Sequence, residues 1–136
     1  MGGQYFRLEI KHGKKTASVI NKKVNFNNLS ASIDNQIKEY RRVLNSTNSF
    51  IVWGAGAKGV TFLNRLAIKR NRCKYVIDIE PNKQNKFIPI TGQKVISPEI
   101  LQKIKIDAVI IMNPIYEREI KTMALQNGYK GKCILL

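Results

Sequence analysis

The chain has 136 residues, is 43% hydrophobic, and sets 24 Lys and Arg against 9 Asp and Glu for a formal net charge of +15. That length fits one domain with at most a short lead-in, and is enough to bury a core. No apolar run nears the ~20 residues that cross a bilayer. Residues 1–6 lack a signal peptide's basic-then-apolar layout, and Phe6 stands where a myristoylation signal wants Ser or Thr. A cytoplasmic protein without membrane association is expected.

Residues 4–11 alternate, with Phe6, Leu8 and Ile10 on one face, as a strand does. Gly13 marks a turn, and residues 16–20 return as a hairpin partner. Residues 21–28 read as a polar loop. Leu29, Ile33, Ile37, Tyr40 and Leu44 then recur at helical spacing, predicting a helix of about four to five turns capped by Asn28 or Ser30. Residues 45–49 end it. Residues 1–49 thus form a lead-in to a second unit over residues 50–136.

Four apolar residues, Phe50, Ile51, Val52 and Trp53, run into Gly54-Ala55-Gly56-Ala57-Lys58-Gly59, the strand–turn–helix opening of a Rossmann-type nucleotide site. Gly54 permits the tight turn, Gly56 lets N–H groups approach a phosphate without a Cβ in the way, and Gly59 lets the helix pack close to the strand. Leu63, Leu66 and Ala67 make the helix's inward stripe, and residues 69–72 end it. Residues 74–77 are the second strand, closed by Asp78 at about the expected distance of ~20 residues. A polar loop over 81–92 carries Lys83 and Lys86. Val95 and Ile96 form a third strand, and Ser97-Pro98-Glu99 starts a helix with a capping hydroxyl. Residues 107–112 are the most apolar strand, broken by Asn113-Pro114. Residues 116–127 are helical, Gly128 ends that helix, and residues 132–136 close the chain as a strand.

The fold class is therefore α/β: a Rossmann-like parallel sheet in the order 3-2-1-4-5, flanked by helices. Its ligand crevice lies outside the carboxyl ends of the strands, around residues 54–59, 78–83 and 113–116. Lys58 reaches toward a diphosphate or is an ordinary exposed residue at a helix start. Asp78 accepts from a ribose hydroxyl or caps the turn that follows. Lys83 is a weaker phosphate candidate than Lys58. Asn113 and Tyr116 orient a sugar or turn the chain.

No nucleophile–base pair or carboxylate dyad stands out, so no catalytic residue is assigned. Cys73 and Cys133 are far apart and have no CxxC spacing or nearby histidine, which gives no metal or redox motif. The sole histidine, His12, lies among lysines and reads as a surface residue. The cations are spread along the whole sequence without interleaved aromatics, so nucleic acid is not the expected partner. A lysine-rich solvated surface facing an acidic neighbouring domain fits better.

The blocks Ile51-Val-Trp-Gly-Ala-Gly-Ala-Lys-Gly-Val-Thr-Phe-Leu-Asn64, Val76-Ile-Asp-Ile-Glu-Pro-Asn-Lys-Gln84 and Ile111-Met-Asn-Pro-Ile-Tyr-Glu-Arg-Glu-Ile120 resemble the C-terminal domain of S-adenosylmethionine-dependent C-methyltransferases acting on nucleotide-linked sugars. The resemblance covers the whole chain. It implies a domain that helps hold a nucleotide-diphosphate sugar, with Gly54, Gly56, Lys58 and Gly59 at the diphosphate and Asp78 and Asn113 nearby. It implies S-adenosylmethionine for the full-length enzyme, bound by an N-terminal methyltransferase domain in cis or in trans and not by this one.

Gly2-Gly3-Gln4 resembles a His-Gly-Gly-Ser junction whose histidine acts as base. This chain starts at or just after that position, so methyl transfer by these residues alone is not expected. Gln4 replaces the usual serine, and residues 112–115 depart from the Pro-Trp-Asn of many relatives. Two rivals stand beside this reading: a free-standing NAD(P)-type domain of an oxidoreductase or sensor, and a ligand-free dimerisation or scaffold module.

Overall fold

The computed structural model describes residues 26–136. The expected hairpin over residues 4–20, His12, and the loop up to residue 25 lie outside the described residues.

Five parallel strands form one sheet in the order β3-β2-β1-β4-β5: β1 (Phe50–Trp53), β2 (Tyr75–Ile77), β3 (Lys94–Ile96), β4 (Ala108–Ile111) and β5 (Lys132–Leu135). Register runs Val52 opposite Val76 on one side of β1 and Val52 opposite Ile110 on the other. Every residue of β1 and β4 is buried. A strand covered on both faces needs a continuous apolar run, and FIVW and AVII supply it.

Side chains alternate between two cores. Phe50, Val52, Val76, Val95 and Ile110 pack with Phe62, Leu63 and Leu44 on one face. Ile51, Trp53, Ile77, Val109 and Ile111 pack with Leu101, Ile120 and Ala124 on the other.

The first face carries α1 (Phe26–Asn45) and α2 (Ala57–Arg65). α1 begins two to four residues ahead of the predicted caps: Asn28 and Ser30 lie inside it, and residues 26–28 are helix where a loop was expected. Its C-terminal half is held down in three ways. Leu44 enters the core, Tyr40 meets Phe62 edge-on at 5.3 Å, and the Arg72 guanidinium donates to the carbonyls of Leu44 and Thr47, both at 2.7 Å. The Leu44 carbonyl belongs to the last turn of α1 and has no intrahelical donor, the Thr47 carbonyl lies just beyond, and a cation is favoured at such an end.

α2 stops at Arg65, short of the predicted end. Ala67 takes φ 49°, the Ile68 N–H bonds the Leu63 carbonyl, and the Ala67 N–H bonds that of Asn64. This is a Schellman turn, closed by the apolar pair Leu63 and Ile68. Ala67 is consequently exposed, and Phe62 takes its place in the inward stripe.

The second face carries α3 (Glu117–Gln126) and a 3-10 helix, Pro98–Gln102. The latter corrects the expected α-helix. Ser97 makes no side-chain cap there, and its hydroxyl instead bonds Glu99, holding that carboxylate below its usual range. A second 3-10 turn, Pro114–Tyr116, precedes α3.

Candidate functional site

β1 ends at Trp53, and the chain turns sharply through Gly54 at φ 115°, a conformation that excludes a side chain. α2 then starts at Ala57 and runs back across the strand end. A Cβ on Gly59 would collide with the Gly54 carbonyl oxygen, so this helix can approach the strand only with glycine there. Gly56 differs. Its φ of −85° suits any residue, and a Cβ on it would meet no protein atom within 4 Å. The space in front of Gly56 is open.

Two of the loop's N–H groups face inward. Gly54 donates to the Ile77 carbonyl at 2.7 Å, and Ala55 donates to Asp78 Oδ2 at 2.8 Å. The next N–H groups begin α2, whose N-cap Gly56 has no side chain to receive them and whose first turn holds no acid. Such a terminus carries about half a positive charge and unpaired donors.

These residues form one wall of a cleft of about 770 Å³ at the carboxyl ends of β1, β2 and β4. The sheet order reverses between β1 and β4, the position where doubly wound folds bind ligands. The cleft brings together Gly54, Gly56, Ala57, Lys58 and Gly59 with Asp78, Lys83, Asn113 and Tyr116. Ala55 does not line it: its N–H is taken by Asp78 and it packs against the first core.

Asp78 is buried and already bonded. Oδ2 accepts from Ala55 N–H and from Lys83 Nζ at 3.4 Å, and Oδ1 accepts from Glu80 N–H at 3.0 Å. Of the two roles its position allows, capping the following turn is the one its contacts make, and it also ties the glycine loop to β2. A carboxylate offers about four acceptor positions, so a ribose hydroxyl would share this group with three protein donors.

Lys83, the weaker phosphate candidate, lines the cleft but is already paired. It pairs with Glu80 at 2.7 Å as well as Asp78, and the Glu80 hydrogen bond, aided by the Asp78 charge, holds its ammonium above the ordinary value. Lys58 is exposed and has no ion-pair partner among the described residues. Asn113 accepts from the Ile115 N–H at 3.4 Å and starts the turn before α3.

Sequence reasoning missed Trp53, Met112, Ile120 and Met123, which give the cleft an apolar wall, and Glu119, which adds a carboxylate. Trp53 and Met112 sit at strand ends and were legible in principle. The two from α3 required its packing angle. Among the described residues no His, Cys, Asp and Glu cluster suits a metal ion. No helix among them is long and apolar enough to cross a membrane.

Solved structures of the same fold include RSP in complex with beta-NAD+ and operator DNA, at 21% identity and TM-score 0.50, covering 66% of this chain and 50% of that one. RSP in complex with beta-NADH matches at 22% identity and TM-score 0.49, covering 65% and 46%. RSP described as a Rex-family repressor matches at 20% identity and TM-score 0.49, covering 72% and 52%. At such identities the likeness concerns the fold. The chain spans about half the length of these structures. No curated protein matches it. A family described as "C-methyltransferase C-terminal domain" matches residues 9–135, nearly the whole chain and every strand of the sheet. The chain belongs to the C-methyltransferase C-terminal domain family.

Proposed function

We propose that this domain binds the nucleotide-diphosphate sugar substrate of an S-adenosylmethionine-dependent sugar C-methyltransferase. Residues 50–136 are the binding unit, residues 1–49 are its lead-in, and the enzyme's methyltransferase domain is its partner. One observation carries the reading. The N-terminus of α2 is uncapped, free of acidic residues and open at Gly56 onto a cleft of about 770 Å³. Unpaired N–H donors and a partial positive charge are what a diphosphate needs.

Lys58, in the first turn, is the cation for that anion. Trp53, Met112 and Met123 offer apolar surface to a sugar or base, and Asn113, Tyr116 and Glu119 offer polar groups to its hydroxyls. Asp78 and Lys83 hold the glycine loop and the β2 turn in shape more than they hold ligand.

S-adenosylmethionine does not fit this wall. It carries no phosphate, and its sulfonium would face a lysine and the positive end of a helix. That cofactor belongs to the N-terminal methyltransferase domain, and this chain positions substrate for it. The second reading, an NAD-type ligand, draws support from the same diphosphate chemistry and from the RSP structure that holds beta-NAD+.

The test is calorimetric titration of the chain and of Gly56→Ala with a nucleoside-diphosphate sugar, NAD+ and S-adenosylmethionine. The Ala methyl enters the open space without touching protein. We expect heat with the nucleoside-diphosphate sugar, a loss of tenfold or more in Gly56→Ala, and an unchanged melting temperature. Heat with NAD+ alone establishes the second reading. Silence with every ligand leaves a scaffold module and overturns both.

A further inference from the structure

Cations that lie far apart in the sequence converge on one edge of the fold. Because all strands are parallel, the turns that lead into them share the edge opposite the cleft. Lys69, Arg70, Arg72 and Lys74 precede β2, and Lys94 opens β3. Lys103 and Lys105 precede β4, and Lys130 and Lys132 flank the start of β5. All are exposed except Arg72 and Lys94, which are half-buried. The same turns contain one carboxylate, Asp107, and its Oδ2 already accepts the N–H groups of Asn48 and Ser49 at 3.0 and 2.9 Å.

Helix ends account for part of this charge. The C-termini of α1, α2 and α3 point to this edge, each worth roughly half a negative charge, and Arg72 is engaged by α1's last carbonyls. Three such ends offset about one and a half of the nine cations. The surplus stretches over four strand spacings, about 19 Å at ~4.8 Å each.

We infer that this amino-terminal edge of the sheet is a second binding surface, for the phosphodiester backbone of nucleic acid, held without regard to base sequence. A protein partner fits it less well. Protein interfaces are depleted in lysine and centre on apolar or aromatic anchors. Seven of the nine cations are lysines. The exposed large apolar residues leading into this edge, Phe87, Ile90 and Leu125, belong to segments feeding the two outermost strands, β3 and β5, and none lies at the centre of the row. Lysines act as point charges that displace counterions from a phosphate array, which suits non-specific binding. The cleft lies at the other end of the strands, so this surface is independent of any nucleotide sugar bound there.

The experiment is fluorescence anisotropy with a 20-base-pair duplex of arbitrary sequence, titrated at several salt concentrations. The edge variant neutralises Lys69, Arg70, Lys103 and Lys105 to Gln. A control variant of identical net charge neutralises Lys38, Lys86, Arg118 and Lys121, all exposed and outside the edge. Melting curves verify that both fold.

We expect micromolar or weaker binding at physiological salt and tighter binding at low salt. The edge variant should lose at least tenfold, with a salt slope shallower by about 0.9 for each cation that met a phosphate. The control should stay within about twofold, and an added nucleoside diphosphate should not compete. Equal losses in both variants would mean delocalised attraction and would overturn the proposal. So would tighter binding to poly-glutamate or to anionic vesicles than to the duplex, or no binding at low salt.

Discussion

At the carboxyl ends of the strands the chain places glycines and carboxylates, with Gly54, Gly56 and Gly59 beside Asp78, Glu80 and Glu119. At the amino ends of the same strands it places lysines. Helix direction accounts for much of the contrast. In a parallel α/β sheet the helices run back against the strands, so their positive ends gather at one edge and their negative ends at the other. α3 answers its positive end with Glu117 and Glu119, and the 3-10 helix after β3 answers with Glu99. α2 has no acid and no capping side chain in the corresponding place. A charge left unanswered where its neighbours are answered marks where a ligand is expected, and the same reasoning distinguishes excess cations from helix-capping ones at the opposite edge.

The sharpest way to break this comparison is Gly59→Ala. Gly56 and Gly59 belong to one motif, yet an added methyl meets open space at the first and a backbone oxygen at the second. Overpacking against backbone typically costs 1–3 kcal/mol, and nothing here is a flexible side chain able to move aside. We expect Gly59→Ala to lose about 3 kcal/mol in urea denaturation, offset only slightly by alanine's better helix propensity. Gly56→Ala should stay within about 0.5 kcal/mol of the parent. If both tolerate alanine equally, the glycine corner is not the tight junction described, and the anion site built on it loses its frame.

A second measurement concerns the basic edge. Cys73 lies directly beneath it, between Arg72 and Lys74, yet burial pushes its thiol up from near 9 to about 12. The loss of solvation outweighs the neighbouring cations: Lys74 stands in solvent, where its field is screened, and Arg72 is directed to the Leu44 and Thr47 carbonyls. The native state therefore binds the thiol proton more tightly than the unfolded chain does. That contribution is complete below about pH 9 and is lost as pH rises toward 12. Between about pH 8 and 10.5 the parent should lose about 2 kcal/mol more than Cys73→Ala, at ~1.4 kcal/mol per unit. Parallel curves for the two proteins would show the thiol to be as accessible as in the unfolded chain.

Much of this was legible in the sequence for identifiable reasons. The strand order follows from alternating apolar runs and helical stripes, and Phe50-Ile-Val-Trp could be placed centrally because no polar residue interrupts it. Nine of the ten site residues named in advance line one cleft, since the fold rule that puts strand ends together needs only the strand order. What stayed hidden depends on contacts between distant segments. Ala55 looks like its neighbours in sequence, and only the fold packs it against the first core and gives its N–H to Asp78. Lys83 reads as a free cation until the turn folds Glu80 against it. Cations scattered along the sequence become a row only when the strands are laid parallel. Gln93, fully buried with its amide nitrogen on the Ile68 carbonyl, gives no sign of that in a polar stretch.

The smallest expected effect concerns two helix ends at the basic edge that share one geometry. α3 ends in a Schellman turn, with the Gly128 N–H on the Leu125 carbonyl, the Tyr129 N–H on that of Ala124, and φ 79° at Gly128. α2 ends in the same turn with alanine in the left-handed position. For an L-residue that conformation costs roughly 1–2 kcal/mol, and glycine avoids it while giving back some entropy in the unfolded chain. Ala67→Gly should therefore raise stability by about 0.5–1 kcal/mol, and Gly128→Ala should lower it by a similar amount. Thermal melts of the two variants and the double exchange decide the matter. Because the two turns lead into β2 and β5, three strand spacings apart in the sheet, their effects should add, leaving the double variant near the parent. A destabilised Ala67→Gly would show that the Ala67 methyl makes a contact outweighing its backbone strain, and the helix would then end where it does because of that contact and not despite the residue.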